Sequence, residues 1–307
     1  MTIASATHPP GVGQQGAPPE PPERSGRGRR TPYLLLLPGL LWLLAFFAVP
    51  LVTLAGTSTQ TPAPSGETGA FQQTFRLANY LDALTEYAPQ FGRSFLYAFI
   101  ATALALAIGY PLAYAIAFKA GRWRNVLLVM VVAPFFCSFI LRTIAWRQIL
   151  ADEGFVVRTL KSLHVIGETT TLTASAVAVV AGITYNFLPF MTLPLYASLE
   201  RIDGRLLEAG ADLYGSAATV FRKVTFPLSM PGVVAGTLLT FIPAAGVYVN
   251  AALLGNSRTT MIGNVVQSRF FTIVDYPTAA ALSFLLMAAI VILVAVYVRR
   301  AGTEELV

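Results

Sequence analysis

Charge is what this sequence has least of. Asp, Glu, Lys and Arg together make up 12% of its 307 residues, against about 25% in soluble domains. Hydrophobic residues make up 55%, and so much apolar surface cannot all be hidden inside a water-soluble domain of this length. An ordinary soluble enzyme is therefore excluded, and so is a disordered or collagen-like chain. Cysteine is nearly absent as well. Cys137 alone rules out a disulfide framework and a cysteine-rich metal site. The two histidines, His8 and His164, are too few and too far apart for a histidine-based zinc site. No Walker A loop and no GxGxxG occurs, so the chain shows no nucleotide site of its own.

The few charges leave long gaps. Uncharged runs cover Thr31–Gly66, Ser94–Phe118, Asn125–Leu141, Thr169–Leu199, Val224–Ser257 and Tyr276–Val298. A membrane helix needs about 20 apolar residues, and all six runs reach the permitted range. The expectation is an all-α polytopic membrane protein with helices near 32–56, 92–118, 125–147, 174–198, 229–254 and 277–298. Barrel strands would alternate in polarity instead of running apolar throughout. The tightest basic clusters are Arg27, Arg29 and Arg30, then Lys119, Arg122 and Arg124, then Arg299 and Arg300. Placing all three inside puts both termini in the cytoplasm. The net charge of +6 is thereby read as membrane topology. It is not read as a nucleic-acid surface, because the basic residues are spread over several loops.

Residues 1–30 are rich in proline, glycine and charge and are expected to form a disordered cytoplasmic tail. The apolar run behind them exceeds the roughly 7–15 residues of a signal-peptide core. The membrane domain is expected over 31–300, with a short cytoplasmic tail at 301–307. Small residues repeat every fourth position at Ala101, Ala105 and Gly109 and at Gly232, Gly236, Thr240 and Ala244. Such stripes let helix backbones approach closely, within one bundle or between subunits.

Helix breakers inside the runs point to a translocation cavity, because a freed carbonyl must face protein or water. Pro111, Pro189, Pro194, Pro243 and Gly246 are such breakers. The polar side chains flanking them, Tyr185, Asn186, Tyr248 and Asn250, are pathway candidates, with Trp146 as a further aromatic. Asp152, Glu153 and Asp275, near outer helix ends, can act as an electrostatic funnel or as solvated loop charges. Arg142 and Arg147 are expected to snorkel to the outer interface, or else to pair with Asp152 or Glu153.

The segment 200–227 is too long for a plain turn. Its pattern of Ile202, Leu206, Leu207 and Leu213 is amphipathic. Gly210 and Gly215 predict two short helices with a bend between them. This segment resembles the EAA motif of importer permeases of the ATP-binding-cassette (ABC) class. The matching residues are Glu208-Ala209, then Val224 and Phe226-Pro227 at the family's spacing. Gly210 stands where the motif has its third alanine, and Tyr214 stands at its glycine, with Gly215 directly after. Other stretches resemble spermidine/putrescine permeases, and in particular the first permease subunit. They are Pro134 to Trp146, Tyr185 to Phe190, Leu195 to Asp203, Ala252 to Gly255 and Met261 to Asn264.

The resemblance implies a type I ABC importer permease fold in a bacterial cell membrane. The subunit would be non-enzymatic and would pair with a second permease, two ATPase subunits and an extracytoplasmic substrate-binding protein. ATP would be bound by the ATPase, which would receive Glu208, Ala209, Gly210, Asp212, Gly215 and Pro227 of the loop. Related permeases for phosphonates, opines or ferric iron share parts of these patterns. A secondary transporter would need ionisable groups at membrane depth, and the uncharged runs offer none. A membrane-embedded enzyme would need a pair of catalytic groups there, which the residues do not supply.

Overall fold

The computed structural model describes residues 31–64 and 67–301. The N-terminal tail 1–30 and the C-terminal tail after residue 301 lie outside the described residues. Contacts divide the chain into two units, Met1–Leu51 and Val52–Val307. In the first, α1 (Thr31–Leu43) leads into a π turn (Leu44–Ala48) and the start of α2 (Val49–Ser58). Leu36–Ser58 is 23 residues of high hydropathy, about 35 Å of helix and enough to cross a bilayer.

The second unit opens with a small antiparallel hairpin, β1 (Gln60–Pro62) and β2 (Phe71–Gln73), with Gln60 opposite Gln73. Helix α3 then runs for 37 residues, Ala78–Tyr114. It begins well before the expected start near 92. Its first turns carry charge on one face (Asp82, Glu86, Arg93) while Ala83, Tyr87 and Phe91 are buried at helical spacing on the other. A search for uncharged runs cannot see such a segment.

The expected third helix, 125–147, is not a single rod. It consists of α4 (Arg124–Val132), a 3-10 turn (Ala133–Phe136) and α5 (Phe139–Ile149). The two arms meet at 99°. Pro134 removes a backbone donor, and Cys137 and Ser138 adopt extended ψ angles of 145° and 137°. After α6 (Phe155–Ser162), α7 (Ala176–Glu200) is continuous, close to its expected bounds. Ser175 caps it by accepting from the Ala178 amide at 3.1 Å. Pro189 and Pro194 lie within α7, and Pro111 within α3, without ending either helix.

The loop region holds α8 (Gly204–Tyr214), α9 (Ala217–Val220), a π turn and α10 (Phe226–Leu228). It meets α11 (Met230–Gly246) at 64°. The expected fifth helix, 229–254, stops at Gly246. Val247 is extended, and α12 (Val249–Leu254) is a separate short helix. Helices α13 (Ile262–Phe271) and α14 (Tyr276–Ala301) complete the chain. Four described helices are long and apolar enough to cross a membrane. The number becomes six when each bent pair is taken as one span.

Helices α3, α7 and α11 pack against one another. Fully buried Met191 shows why the small-residue stripes exist. A Cβ at Gly109 would lie 3.3 Å from its Cγ, and one at Gly236 would lie 2.9 Å from its Sδ. Ala101, Ala105, Gly232, Gly236, Thr240 and Ala244 are all buried in the bundle. The stripes pack this subunit against itself.

Candidate functional site

Segment 200–227 is built as a lever with one anchored side. Asp203 caps α8 by accepting from the Arg205 amide at 3.0 Å. Gly215 ends it in the left-handed region at φ 67°, its amide donating to the Ala211 carbonyl at 2.9 Å. A residue with a Cβ is strained there, which explains why the glycine follows Tyr214 and does not replace it. The expectation of two helices with a bend holds, but Gly210 does not interrupt anything. It lies buried within α8, where an added Cβ would meet Val224 at 3.2 Å and Val220 at 3.3 Å. It is bare so that α8 can sit against the π turn.

The outward face of α8 is different. Leu206 is 49% exposed and Leu213 77% exposed. Seven residues apart, they share one stripe. Ala209 lies beside it, and Glu208 and Asp212 stand four apart along its edge; all three are exposed. Pro227 is exposed in the first turn of α10. Lys223 Nζ sits 4.5 Å from the Tyr214 ring centroid, which binds the two ends of the loop together.

Two contacts tie the loop to the bundle. On α3, the Tyr110 hydroxyl hydrogen-bonds buried Ser229 Oγ at 2.7 Å, and its ring meets Phe221 edge-on at 5.5 Å and Phe226 at 6.0 Å. At the end of α7, Arg124 donates to the Tyr196 hydroxyl, stacks 5.1 Å over its ring and pairs with Glu200. A carboxylate at a helix C-terminus opposes the helix dipole, and Arg124 offsets that. Neither contact was legible in the sequence, since the partners lie 119 and 76 positions apart (Ser229 from Tyr110, Glu200 from Arg124). Tyr110→Phe should keep the ring contacts and lose one hydrogen bond, about 1 kcal/mol. Hydrogen exchange over 221–229 should quicken several-fold, and unchanged exchange would show that the hydroxyl is not an anchor.

The pathway candidates fall into three groups. Trp146 on α5 and Tyr185 on α7 meet edge-on at 5.4 Å. Tyr185 also lines an apolar cavity of about 280 Å³ with Leu112, Leu127, Pro134, Leu188 and Pro189. Asn186 and Asn250 are 1% and 0% exposed, deep inside the bundle. Asn186 Nδ2 donates to Thr143 Oγ1 at 3.2 Å, and Asn250 lies over Gly182, one turn away along α7. Tyr248, at the break before α12, is 45% exposed.

The carboxylates each have a cation. Asp152 pairs with Lys161 at 3.4 Å and Glu153 with Arg158 at 3.5 Å, so neither pairs with Arg142 or Arg147. Asp275 caps α14 through the Thr278 amide at 3.3 Å and pairs with Arg269 at 3.1 Å. Arg269 also holds Glu86 at 3.1 Å and the Tyr87 hydroxyl, joining α3, α13 and the start of α14. Burial lowers the Arg269 pKa, but Tyr87 and the charges of Asp275 and Glu86 more than offset this, and the net direction is upward. Asp275 thus has a structural duty at this junction.

The helical bundle is similar to chains of solved transporters. The chain superposes on a chain of a bacterial ABC transporter that imports the acidic polysaccharide alginate, with a TM-score of 0.66 and 16% identity over 88% of this chain and 94% of that one. A second structure is a bacterial alginate ABC transporter in complex with an alginate pentasaccharide-bound periplasmic protein. It gives a TM-score of 0.68 and 15% identity over 90% and 95%. The fold is that of an ABC importer permease, a membrane subunit of a transporter.

No protein-family model matches the chain. Curated relatives are nearer in sequence than the solved structures. The spermidine/putrescine transport system permease protein PotB of Escherichia coli is 34% identical over 261 residues, covering 84% of this chain and 93% of that protein. PotB of Haemophilus influenzae is 34% identical over 259 residues, covering 84% and 90%. The chain belongs to this family of spermidine/putrescine transport permeases. The inner membrane ABC transporter permease protein YdcU of Escherichia coli is 29% identical over 293 residues, covering 89% and 90%.

Proposed function

We propose that the chain is one permease subunit of an ATP-driven polyamine importer, and that it encloses the pathway together with a second, similar permease. Its near full-length relatedness to PotB carries the reading. An extracytoplasmic binding protein delivers the substrate, and two ATPase subunits work from the cytoplasmic side. The basic clusters face inward, so both termini and the segment 200–227 are cytoplasmic. The membrane is the bacterial inner membrane. The chain itself catalyses no reaction and holds no cofactor, and ATP is bound by the motor.

The loop supplies the coupling. Exposed Leu206 and Leu213 enter a cleft of one ATPase, with Glu208, Ala209 and Asp212 at the rim. Gly210, Gly215 and Pro227 set the shape that presents them. Closure of the ATPases on ATP moves the loop. Tyr110, Ser229 and the Arg124–Glu200 pair carry that movement into α3, α7 and the α4 arm. The hinges at Cys137–Ser138 and Val247–Tyr248 let the arms turn while the α3–α7–α11 centre stays packed. Nucleotide state thereby shifts the population of two membrane states.

A polyamine is a flexible polycation that needs aromatic faces as well as carboxylates. Trp146, Tyr185 and Tyr248 are the aromatic surfaces proposed for it, each cation–π contact contributing about 0.5–2 kcal/mol. Asn186, next to Tyr185 and held by Thr143, steadies the lining, while Asp152 and Asp275 stay paired with Lys161 and Arg269 near the outer helix ends. Weak, distributed contacts suit passage better than one deep site. Radiolabelled putrescine and spermidine should accumulate in cells lacking their own uptake system when this chain is expressed with its partner subunits. Deletion of this chain should return uptake to background. Uptake of an anionic solute or ferric iron, with neither polyamine entering, would refute the substrate class and leave the permease fold standing.

A further inference from the structure

Arg142 lies in the first turn of α5, and the bend before it changes what it can reach. On a straight helix it would approach the outer interface. Instead the arms turn by 99°. The rising arm from Arg124 to Phe136 gains only about 18 Å at 1.5 Å per residue. With Arg124 at the inner boundary, as in the orientation proposed above, that leaves Arg142 near the middle of a hydrocarbon core about 30 Å thick, on an arm that no longer climbs.

Its surroundings supply aromatic rings and no anion. The guanidinium carbon lies 5.4 Å from the Phe135 ring centroid and 5.7 Å from that of Phe139. Those rings pack on α7, Phe135 against Phe190 at 4.9 Å and Phe139 against Phe187 at 6.3 Å. Buried Nε and Nη1 of Arg142 have no hydrogen-bond partner. Among the described residues no carboxylate pairs with it, and the nearest in sequence, Asp152 and Glu153, are paired elsewhere. A charge at this depth is costly unless an opposite charge and hydrogen-bond acceptors meet it.

We propose that the second permease subunit places a carboxylate against Arg142, closing an ion pair between the two subunits beside the pathway. The inference rests on the two-permease reading above. Depth argues against a lipid phosphate, which lies outside the hydrocarbon core. A polyamine would be repelled by a lone guanidinium and cannot neutralise it. Arg142 is only partly buried in this chain, and a carboxylate across the interface would meet the accessible end of the guanidinium, offset its charge and leave the passage neutral for a polycation.

The test is a double-mutant cycle on the assembled importer, purified in detergent with its second permease and ATPase. Arg142→Gln and Arg142→Lys are each made, and each membrane-embedded Asp or Glu of the second permease is neutralised alone and together with Arg142→Gln. Loss of one partner from a buried charged pair should weaken subunit association about thirtyfold or more, read as co-purified second permease across a dilution series. Arg142→Lys should retain most of the association. One carboxylate variant should weaken it alone yet restore it in the Arg142→Gln background.

Additive effects at every carboxylate would overturn the proposal, as would normal association of Arg142→Gln. Should Arg142→Gln not fold, the single carboxylate variants still decide, because this chain is then unaltered: none weakening association would sink the pair. Association that follows added anionic lipid, with no coupled carboxylate, would assign the anion to a lipid phosphate. Failure of the unaltered subunits to co-purify would remove the two-permease reading itself, and the ion pair with it.

Discussion

Valine at position 232 is expected to leave almost no folded protein. Gly232 lies where α11 crosses α7. A Cβ there would stand 2.6 Å from Ser198 Cβ, 2.8 Å from the Pro194 carbonyl oxygen and 3.1 Å from Leu195 Cα. Two of those three atoms are backbone, so no side-chain rotation relieves the overlap and α7 must move. Overpacking usually costs about 1–3 kcal/mol. Here the cost should reach or exceed the top of that range, because α7 also packs on α3 through Met191 and Gly109. The measurement is the monodisperse fraction of a fluorescent fusion on size exclusion in detergent. Gly92→Ala is the control: it lies in α3, exposed, with nothing within 4 Å of its Cβ position. Alanine should be neutral or add up to about 1 kcal/mol of helix stability. Equal monodisperse fractions for Gly232→Val and Gly92→Ala would show that the α7–α11 crossing is looser than the distances say.

The sequence reading succeeded where apolar surface and helix direction coincide. Helix α7 is uncharged up to its last residue, Glu200, and lies close to its predicted bounds. It failed where the chain changes direction without changing polarity. Phe136 to Phe139 is as apolar as its flanks, so hydropathy reads it as membrane and is silent about a 99° turn. Val247 joins two apolar helices in the same way. The start of α3 failed for the opposite reason, because charges on one face hid a helix whose other face is buried. Gly210 was misread because a glycine looks alike on paper whether it breaks a helix or lets one come close. Its neighbours Val220 and Val224 decide between the two, and they lie on a different element. Of the candidate site, the loop was legible through its spacing and its place in the order of helices. Its anchors were not, since Tyr110 with Ser229 and Arg124 with Glu200 are pairings of distant residues that only the packed bundle brings together.

The same contrast separates rigid from moving parts. Stripes of small residues close the α3–α7–α11 centre, where an added Cβ at Gly232 or Gly236 would meet the backbone of α7. The chain breaks at Cys137–Ser138, between α4 and α5, and at Val247, after α11, and Trp146 and Tyr248 lie close to those breaks. A force applied to the loop therefore has a stiff body to push against and jointed arms to turn.

Leu213→Asp should abolish transport without disturbing the fold, and Glu208→Lys should do so nearly as strongly. Leu213 is the most exposed large apolar side chain of α8, 77% accessible, and Leu206 shares its stripe. Leu213 stands largely clear of the described residues, so its loss should change the melting temperature of the purified subunit little; exposed substitutions usually stay within about 0.5 kcal/mol. In the proposed complex that stripe fills an ATPase cleft. An apolar anchor of this kind contributes about 2 kcal/mol or more to an interface, so its replacement by a carboxylate should weaken ATPase binding at least about thirtyfold. Glu208→Lys reverses one rim charge and leaves the apolar stripe intact, so binding should fall less while coupling is lost. Glu208→Gln should lie between lysine and the unaltered chain. Two measurements are needed together: co-purified ATPase per permease, and uptake in cells. Loss of both in Leu213→Asp, with an unchanged melting temperature, places the motor contact on α8. A Leu213→Asp subunit that retains its ATPase and transports at the normal rate would move the contact elsewhere on 200–227. The exposed apolar residues Phe221, Phe226 and Leu228 would then be the remaining surface on which to seek it.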